Sequence, residues 1–190
     1  MTQRTRTLRD EAGYNLVEMV IVVGIMSVLA GAAVIQVGQS RPAAIGDAAM
    51  RVTLAQLNAA RERAITERRN MRLTFGTNSV TIVREDSSST TTTFPTVPFE
   101  SGAQFIVVSG TGDIPSPDAI GNSSAVYFPT ATEKKFSSEG TFIDQDGNPA
   151  NGTIFIGLPN QKSSARAISI FGSTGRIRAY RFNGSQWKPA

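Results

Sequence analysis

The chain contains no cysteine and no histidine. Their absence excludes disulfides, thiolate nucleophiles, histidine-based general catalysis and the usual ligand sets for zinc, haem and iron–sulfur clusters. Aromatic residues are also sparse, with one tryptophan and three tyrosines. Acidic residues stop at Asp146: from Gly147 to Ala190 there is none, against six bases, Lys162, Arg166, Arg176, Arg178, Arg181 and Lys188. A one-signed tail of this kind fits an anionic partner and equally fits an inert basic surface. The deficits as a whole point away from an enzyme.

One long apolar run is present. Met19 to Val37 carries no charge, and at about 1.5 Å per residue it comes close to the ~30 Å of a bilayer core. A short leader with Arg4, Arg6 and Arg9 precedes it, and Glu18 stands at its start. Three readings fit. A secretory signal peptide would use the basic leader and the small residues Ala30-Gly31-Ala32 for cleavage, but the apolar run continues past that point. A plain single-pass anchor, oriented by the three arginines with its N-terminus inside, leaves Glu18 unexplained. In the third, a cut after Gly13 makes Tyr14 the new N-terminus. Glu18 then lies about 6 Å up the helix from a free α-amine. An acid and an amine in a low-dielectric filament core have reason to pair, within one chain or between neighbours.

The stretch "GYNLVE" with the run behind it resembles the prepilin signal of type IV pilins and type II secretion pseudopilins. In that family a glycine precedes the cut, an N-methylated aromatic follows it, and a glutamate stands fifth in the mature chain. Gly13, Tyr14 and Glu18 match those positions, with tyrosine in place of the commoner phenylalanine. The resemblance implies cleavage between Gly13 and Tyr14, methylation of Tyr14 and an assembly role for Glu18.

Beyond the run, Pro42 is expected to bend or interrupt the helix. Met50, Leu54, Leu57, Ala64 and Ile65 then mark an apolar helical stripe, with Arg61, Arg63, Glu67 and Arg68 on a solvated face. From Met71 the period changes to two. "MRLTF-GTN-SVTIVRE" predicts a hairpin, and Ser87–Pro98, rich in serine and threonine, predicts an exposed loop. Short strands are expected at Gln104–Val108, Ala125–Phe128, Gly140–Ile143, Thr153–Leu158, Arg166–Phe171 and Arg176–Phe182. A helix followed by many antiparallel strands predicts an α+β fold.

Candidate chemistry is thin. Asp144 and Asp146 in "DQDGN" have the spacing of a calcium-loop start, but no later acid completes it, and a tight turn accounts for it without metal. Asp113, Asp118, Glu133 and Glu139 are scattered, and no serine has a base in a recognisable motif. The most specific feature is "ARAISIFGSTGRIRAY", a predicted hairpin with Ile168, Ile170, Ile177 and Ala179 facing inward. Alternation then places Arg176, Arg178 and Tyr180 together on the other face. Two guanidiniums about 7 Å apart beside an aromatic suit a phosphate backbone and a stacked base. They also suit the polar face of a strand buried on one side.

"FSSEGTF" (Phe136 to Phe142) and "GRIR" (Gly175 to Arg178), together with the N-terminal signal, resemble the GspH/FimT branch of minor pseudopilins and minor type IV pilins. The resemblance implies a leader over 1–13, a transmembrane and filament-core helix over 14–38, its amphipathic second half over 41–70, and a β-rich domain over 71–190. It implies a pilin-like α+β architecture, with a long N-terminal helix packed on an antiparallel C-terminal domain. The expected function is that of a non-enzymatic subunit near the tip of a type II secretion pseudopilus. Such a subunit sits in the inner membrane, its domain periplasmic, before entering the filament. Its partners would be other pseudopilins or pilins, a prepilin peptidase, inner-membrane lipid and secreted cargo, with no cofactor and no metal. The alternative is a FimT-like minor pilin that binds DNA in transformation through Gly175-Arg176-x-Arg178.

Overall fold

The computed structural model describes residues 15–86 and 90–190, and of residues 33–40 the backbone alone. The leader expected at 1–13, and with it Gly13 and Tyr14, lies outside the described residues. The chain divides into two compact units, Met1–Gln39 and Ser40–Ala190.

In the first unit the helix α1, Leu16–Glu67, begins. Asn15 caps it: its side-chain oxygen accepts the Val17 N–H at 3.3 Å, and its carbonyl accepts the N–H groups of Glu18 and Met19. Glu18 occupies the first turn, where a negative charge complements the helix dipole. The large apolar side chains from Leu16 to Leu29 are exposed on every face, from 43% at Val22 to 77% at Leu16. Among the described residues no helix is long and apolar enough to cross a membrane. The last part of the apolar run, Ala33 to Val37, falls where side chains are not described.

Of the bend or interruption expected at Pro42, the interruption does not occur: the helix runs through it. A proline removes one i→i−4 bond, and here the following turn is held from outside. The Ala43 carbonyl accepts Arg166 Nη2 at 2.8 Å.

In the second unit the buried stripe of α1 is Gly46, Ala49, Met50, Thr53, Leu57, Ala60 and Ala64, a 3–4 spacing along one face. This corrects the expected stripe at two positions: Leu54 is half-buried, and Ile65 is 48% exposed. The stripe mixes small and large residues, Met50 and Leu57 among the latter. Gly46 is held small because a Cβ there would overlap the carbonyl of Ser164, and Ile65 lies off the stripe with its Cδ1 beside the Gly140 turn. Thr53 is fully buried and donates its hydroxyl to the Ala49 carbonyl at 2.9 Å.

Two antiparallel sheets follow. The first contains β1 (Met71–Phe75), β2 (Ser79–Glu85), β3 (Thr91–Thr93), β4 (Val97–Pro98), β7 (Lys135–Phe136) and β8 (Phe142–Ile143), in the order β3-β2-β1-β7-β8 with β4 on β2. The second contains β5 (Gln104–Phe105), β6 (Val126–Tyr127), β9 (Gly152–Leu158), β10 (Gln161–Phe171), β11 (Arg176–Phe182) and β12 (Trp187–Pro189). Its order is β12-β11-β10-β9-β5, with β6 on β9. The fold is therefore α+β with antiparallel sheets.

The β1–β2 hairpin has the predicted residues on both strands. The segment expected as a loop over Ser87–Pro98 contains β3 and β4 instead. β3 pairs along the edge of β2 with every side chain exposed. Backbone pairing needs no apolar side chains, which is why composition alone missed it. Phe94 adds an anchor: it packs against the core, with the Arg63 guanidinium 4.2 Å from its ring centroid.

The main core joins the helix stripe to Leu73, Val80, Ile82, Phe136, Phe142, Ile154, Ile156, Ile168 and Ile170. A second cluster lies on the other side of the second sheet, with Phe155, Ala167, Tyr180, Phe182 and Trp187 under Val108 and Ile114.

Candidate functional site

The predicted hairpin forms with Ile168 opposite Ala179 and Ile170 opposite Ile177. Ile168 and Ile170 are fully buried, with Ile177 and Ala179 packed against the same core. Alternation also places Arg176, Arg178 and Tyr180 on the opposite face, as expected. That face is solvated only where Arg176 and Arg178 stand. The segment carrying Val108, Ile114 and Asp118 covers its inner part, so the sheet is buried on both sides. Its signal was in β9, where "IFIGL" is a continuous apolar run rather than an alternating one, the pattern of a strand buried twice.

Tyr180 is therefore 4% exposed, and its ring is not a surface available for base stacking. Its phenol donates to Asp118 Oδ2 at 2.7 Å, and Ser169 Oγ donates to the same oxygen at 2.6 Å. Arg178 Nη1 lies 3.4 Å from Oδ1. Asp118 is fully buried and collects all three groups, although the sequence offered no pairing for it. Burial, then the hydrogen bond to Asp118 and its charge, hold the Tyr180 phenol above its ordinary value, against a smaller opposing effect of Arg178.

Arg176 is exposed and places its guanidinium 4.4 Å from the centroid of Phe171, its cross-strand partner. Gly175 between the strands has a structural task. It ends the 3₁₀ turn Gly172–Thr174 in the left-handed region at φ 60°, and a Cβ there would overlap the Gly140 carbonyl. Gly140 belongs to "FSSEGTF", so the two downstream motifs meet. Arg61 joins them to the helix: its Nε donates to the Gly140 carbonyl and its Nη2 to the Thr174 carbonyl, each at 3.0 Å. Arg61, expected on a solvated face, is a half-buried clamp.

The acid-free tail is compensated by acids from elsewhere in the chain. Arg166, 3% exposed, pairs with Asp47 of α1 at 2.7 Å, and Arg181 reaches the same oxygen at 3.0 Å. Burial alone would raise Asp47. The Arg166 hydrogen bond and the charges of Arg166, Arg181 and Arg51 outweigh it and hold the carboxyl below its ordinary value. Arg176, Lys162 and Lys188 are without an ion pair among the described residues.

Asp144 makes a tight turn. Its Oδ1 accepts the N–H groups of Asp146 and Asn148 at 2.9 and 2.8 Å, and Gly147 takes φ 86°. Among the described residues no three acids gather as a metal site would need. Glu18 remains exposed in the first turn of α1. No protein-family model, curated protein or solved structure matches this chain.

Proposed function

We propose that this chain is a minor pseudopilin of the GspH type, a structural and non-enzymatic subunit of a type II secretion pseudopilus. The observation that carries this is the joint placement of Gly13, Tyr14 and Glu18 before the apolar run. The helix geometry supports it: Leu16 to Leu29 is apolar and exposed on all faces, with Glu18 its one charge. A helix with no polar face needs lipid or other apolar helices around it. In this role the chain enters the inner membrane as a precursor, is cut after Gly13 and methylated on Tyr14, and then packs its helix among neighbours. Glu18 meets a Tyr14 amine there, and the antiparallel domain faces the periplasm near the filament tip, where it touches other pseudopilins or cargo.

The DNA-binding alternative has less support. Tyr180 is buried, Arg178 has Asp118 as a neighbour, and two further tail arginines share Asp47. It keeps a simple test, since a DNA-binding chain would show duplex affinity that falls steeply with salt and disappears in R176Q/R178Q.

Two measurements test the main proposal in cells that carry the secretion machinery. N-terminal sequencing of the mature chain is expected to begin at N-methylated Tyr14, whereas a start at Ala33 would overturn the proposal. Glu18→Ala is expected to lower recovery in sheared filaments by about tenfold or more, as loss of a buried ion-pair partner implies. Unchanged recovery would count against the assembly role.

A further inference from the structure

The two sheets leave a gap between facing edges. Hydrogen bonds from the Gly76 N–H to the Ser79 carbonyl and from the Glu85 N–H to the Asn70 carbonyl set the phase of the β1–β2 pair. Residues 70, 72, 74 and 76 face β2, so Met71, Leu73 and Phe75 turn their backbone groups the other way. There β7 pairs with Met71 and Arg72, and the Lys134 carbonyl accepts the Leu73 N–H at 2.7 Å. Past that point the Phe75 N–H and carbonyl have no backbone partner among the described residues.

The opposite edge is β6. The Phe155 N–H donates to the Ala125 carbonyl at 2.7 Å, so Ala125 and Tyr127 face β9 and Val126 turns its backbone groups outward. The Val126 carbonyl takes only the Ser124 hydroxyl, and its N–H has no partner among the described residues.

Between these edges lies a slot of about 500 Å³, with Arg72–Gly76 on one side and Ala125 and Val126 on the other. One end is closed where the Phe105 N–H donates to the Thr77 carbonyl at 2.9 Å. Phe75 and Phe105, edge to face at 5.4 Å, form an apolar floor with Val126. Lys134 stands at the other end. Its ammonium donates to the carbonyls of Ala131 and Thr132 at 3.3 and 3.2 Å, and burial pushes it below its ordinary value. Its neighbours Arg72 and Lys135 share Glu85 and Glu133, whereas Lys134 has no acid of its own among the described residues.

We propose that this slot binds a short extended segment of a partner protein by strand addition, with a carboxylate on that segment meeting Lys134. The span from Leu73 to Thr77, at about 3.3 Å per residue, admits three to four residues. Such a segment would bond Phe75 on one side and Val126 on the other, set one apolar side chain on the Phe75–Phe105 floor, and join the two sheets. Main-chain bonds supply the affinity in this mode, and the Lys134 contact supplies the preference for an acid. The site does not depend on which filament, if any, the chain joins.

Residue-resolved hydrogen exchange on the detergent-solubilised full chain tests this with two synthetic peptides, acetyl-TVTVD-amide and its neutral twin acetyl-TVTVN-amide. The acidic peptide is expected to slow exchange at the Phe75 and Val126 amides about tenfold, and the twin to bind about fivefold more weakly. Lys134→Gln is expected to erase the difference between the peptides. Val126→Pro removes an N–H that faces the slot and not β9, an edge position that tolerates proline, and is expected to abolish binding. If that variant does not fold, an acidic peptide N-methylated at its central residues replaces it and is expected to fail to bind. Three results would each overturn the proposal: no protection at these amides in millimolar peptide, amides already protected in the free protein, or equal affinity for the two peptides.

Discussion

Asp118 is the residue whose loss is expected to tell most about the domain. It is fully buried and accepts hydrogen bonds from Ser169 and Tyr180, with Arg178 beside it. Asp118→Ala leaves two buried hydroxyls without their acceptor. Hydrogen bonds to a charged group contribute about 1.5–3 kcal/mol each, and part of that is returned because a buried carboxylate no longer has to be desolvated. We expect a net loss of about 3 kcal/mol, or roughly 6–12 °C in Tm for a domain of this size. Trp187, the only tryptophan, packs on Phe182 and Phe155 with ring centroids 5.3 and 6.0 Å away, so its fluorescence reports on this layer during urea unfolding.

A double-mutant cycle separates the network from general disruption. Tyr180→Phe in the wild-type background is expected to cost about 1–1.5 kcal/mol, and in Asp118→Ala nothing, because the phenol there has already lost its partner. Alkaline pH gives a second check. Since the folded Tyr180 value is raised, its stabilisation is complete below pH ~10 and is lost as pH rises through the folded value. Asp118→Asn removes the charge that contributes to that rise, so the gap between wild type and Asp118→Asn is expected to narrow above pH ~10. A loss below about 1 kcal/mol in Asp118→Ala, or an equal cost of Tyr180→Phe in both backgrounds, would refute the reasoning.

Gly175→Ala is expected to cost about 2–4 kcal/mol from left-handed strain and overlap with the Gly140 carbonyl, while Arg176→Gln stays within about 0.5 kcal/mol. Urea unfolding of the two variants then separates the structural half of the Gly-Arg motif from its surface half. Gly46→Ala should destabilise the domain despite the better helix propensity of alanine, because Ser164 backbone lies where the methyl would go; thermal unfolding reads the sign. The lowered Asp47 carboxyl stabilises above its unfolded value near 4 and loses that contribution as pH falls through the folded value, so Asp47→Asn should flatten the acid limb of a stability profile.

Much of the architecture was legible because periodicity reports burial. The change from helical to alternating spacing near Met71, the Gly-Thr-Asn hairpin and the Gly-Ser-Thr-Gly turn all stand where the pattern puts them. What failed to show was set by contacts distant in sequence. Ile65 looks like a core residue by size and spacing, yet it lies off the buried stripe, half-exposed beside the Gly140 turn. Pro42 looks like a bend or a stop, yet the helix runs through it, and Arg166 from another element holds the Ala43 carbonyl in the turn after it. Pairing of the threonine-rich β3 uses only backbone groups, which composition does not register.

The candidate anion site shows the same limit from the side of charge. A count along the chain finds six bases and no acid after Asp146, and a linear reading makes that segment a strongly positive surface. Folding brings Asp47 to Arg166 and Arg181 and Asp118 to Arg178, so half of those bases face an acid drawn from far upstream. Opposite charges that neutralise one another across a fold need no proximity in sequence, so a one-signed tail predicts a field only where the partners of its charges are known. By that standard Arg176, exposed and stacked on Phe171, is the arginine of the motif left to meet a ligand. A single guanidinium of this kind can rest against many surfaces and specifies none. Recognition by this domain is accordingly better sought where, among the described residues, edge backbone groups are unpaired and Lys134 has no acid than where arginines are most numerous.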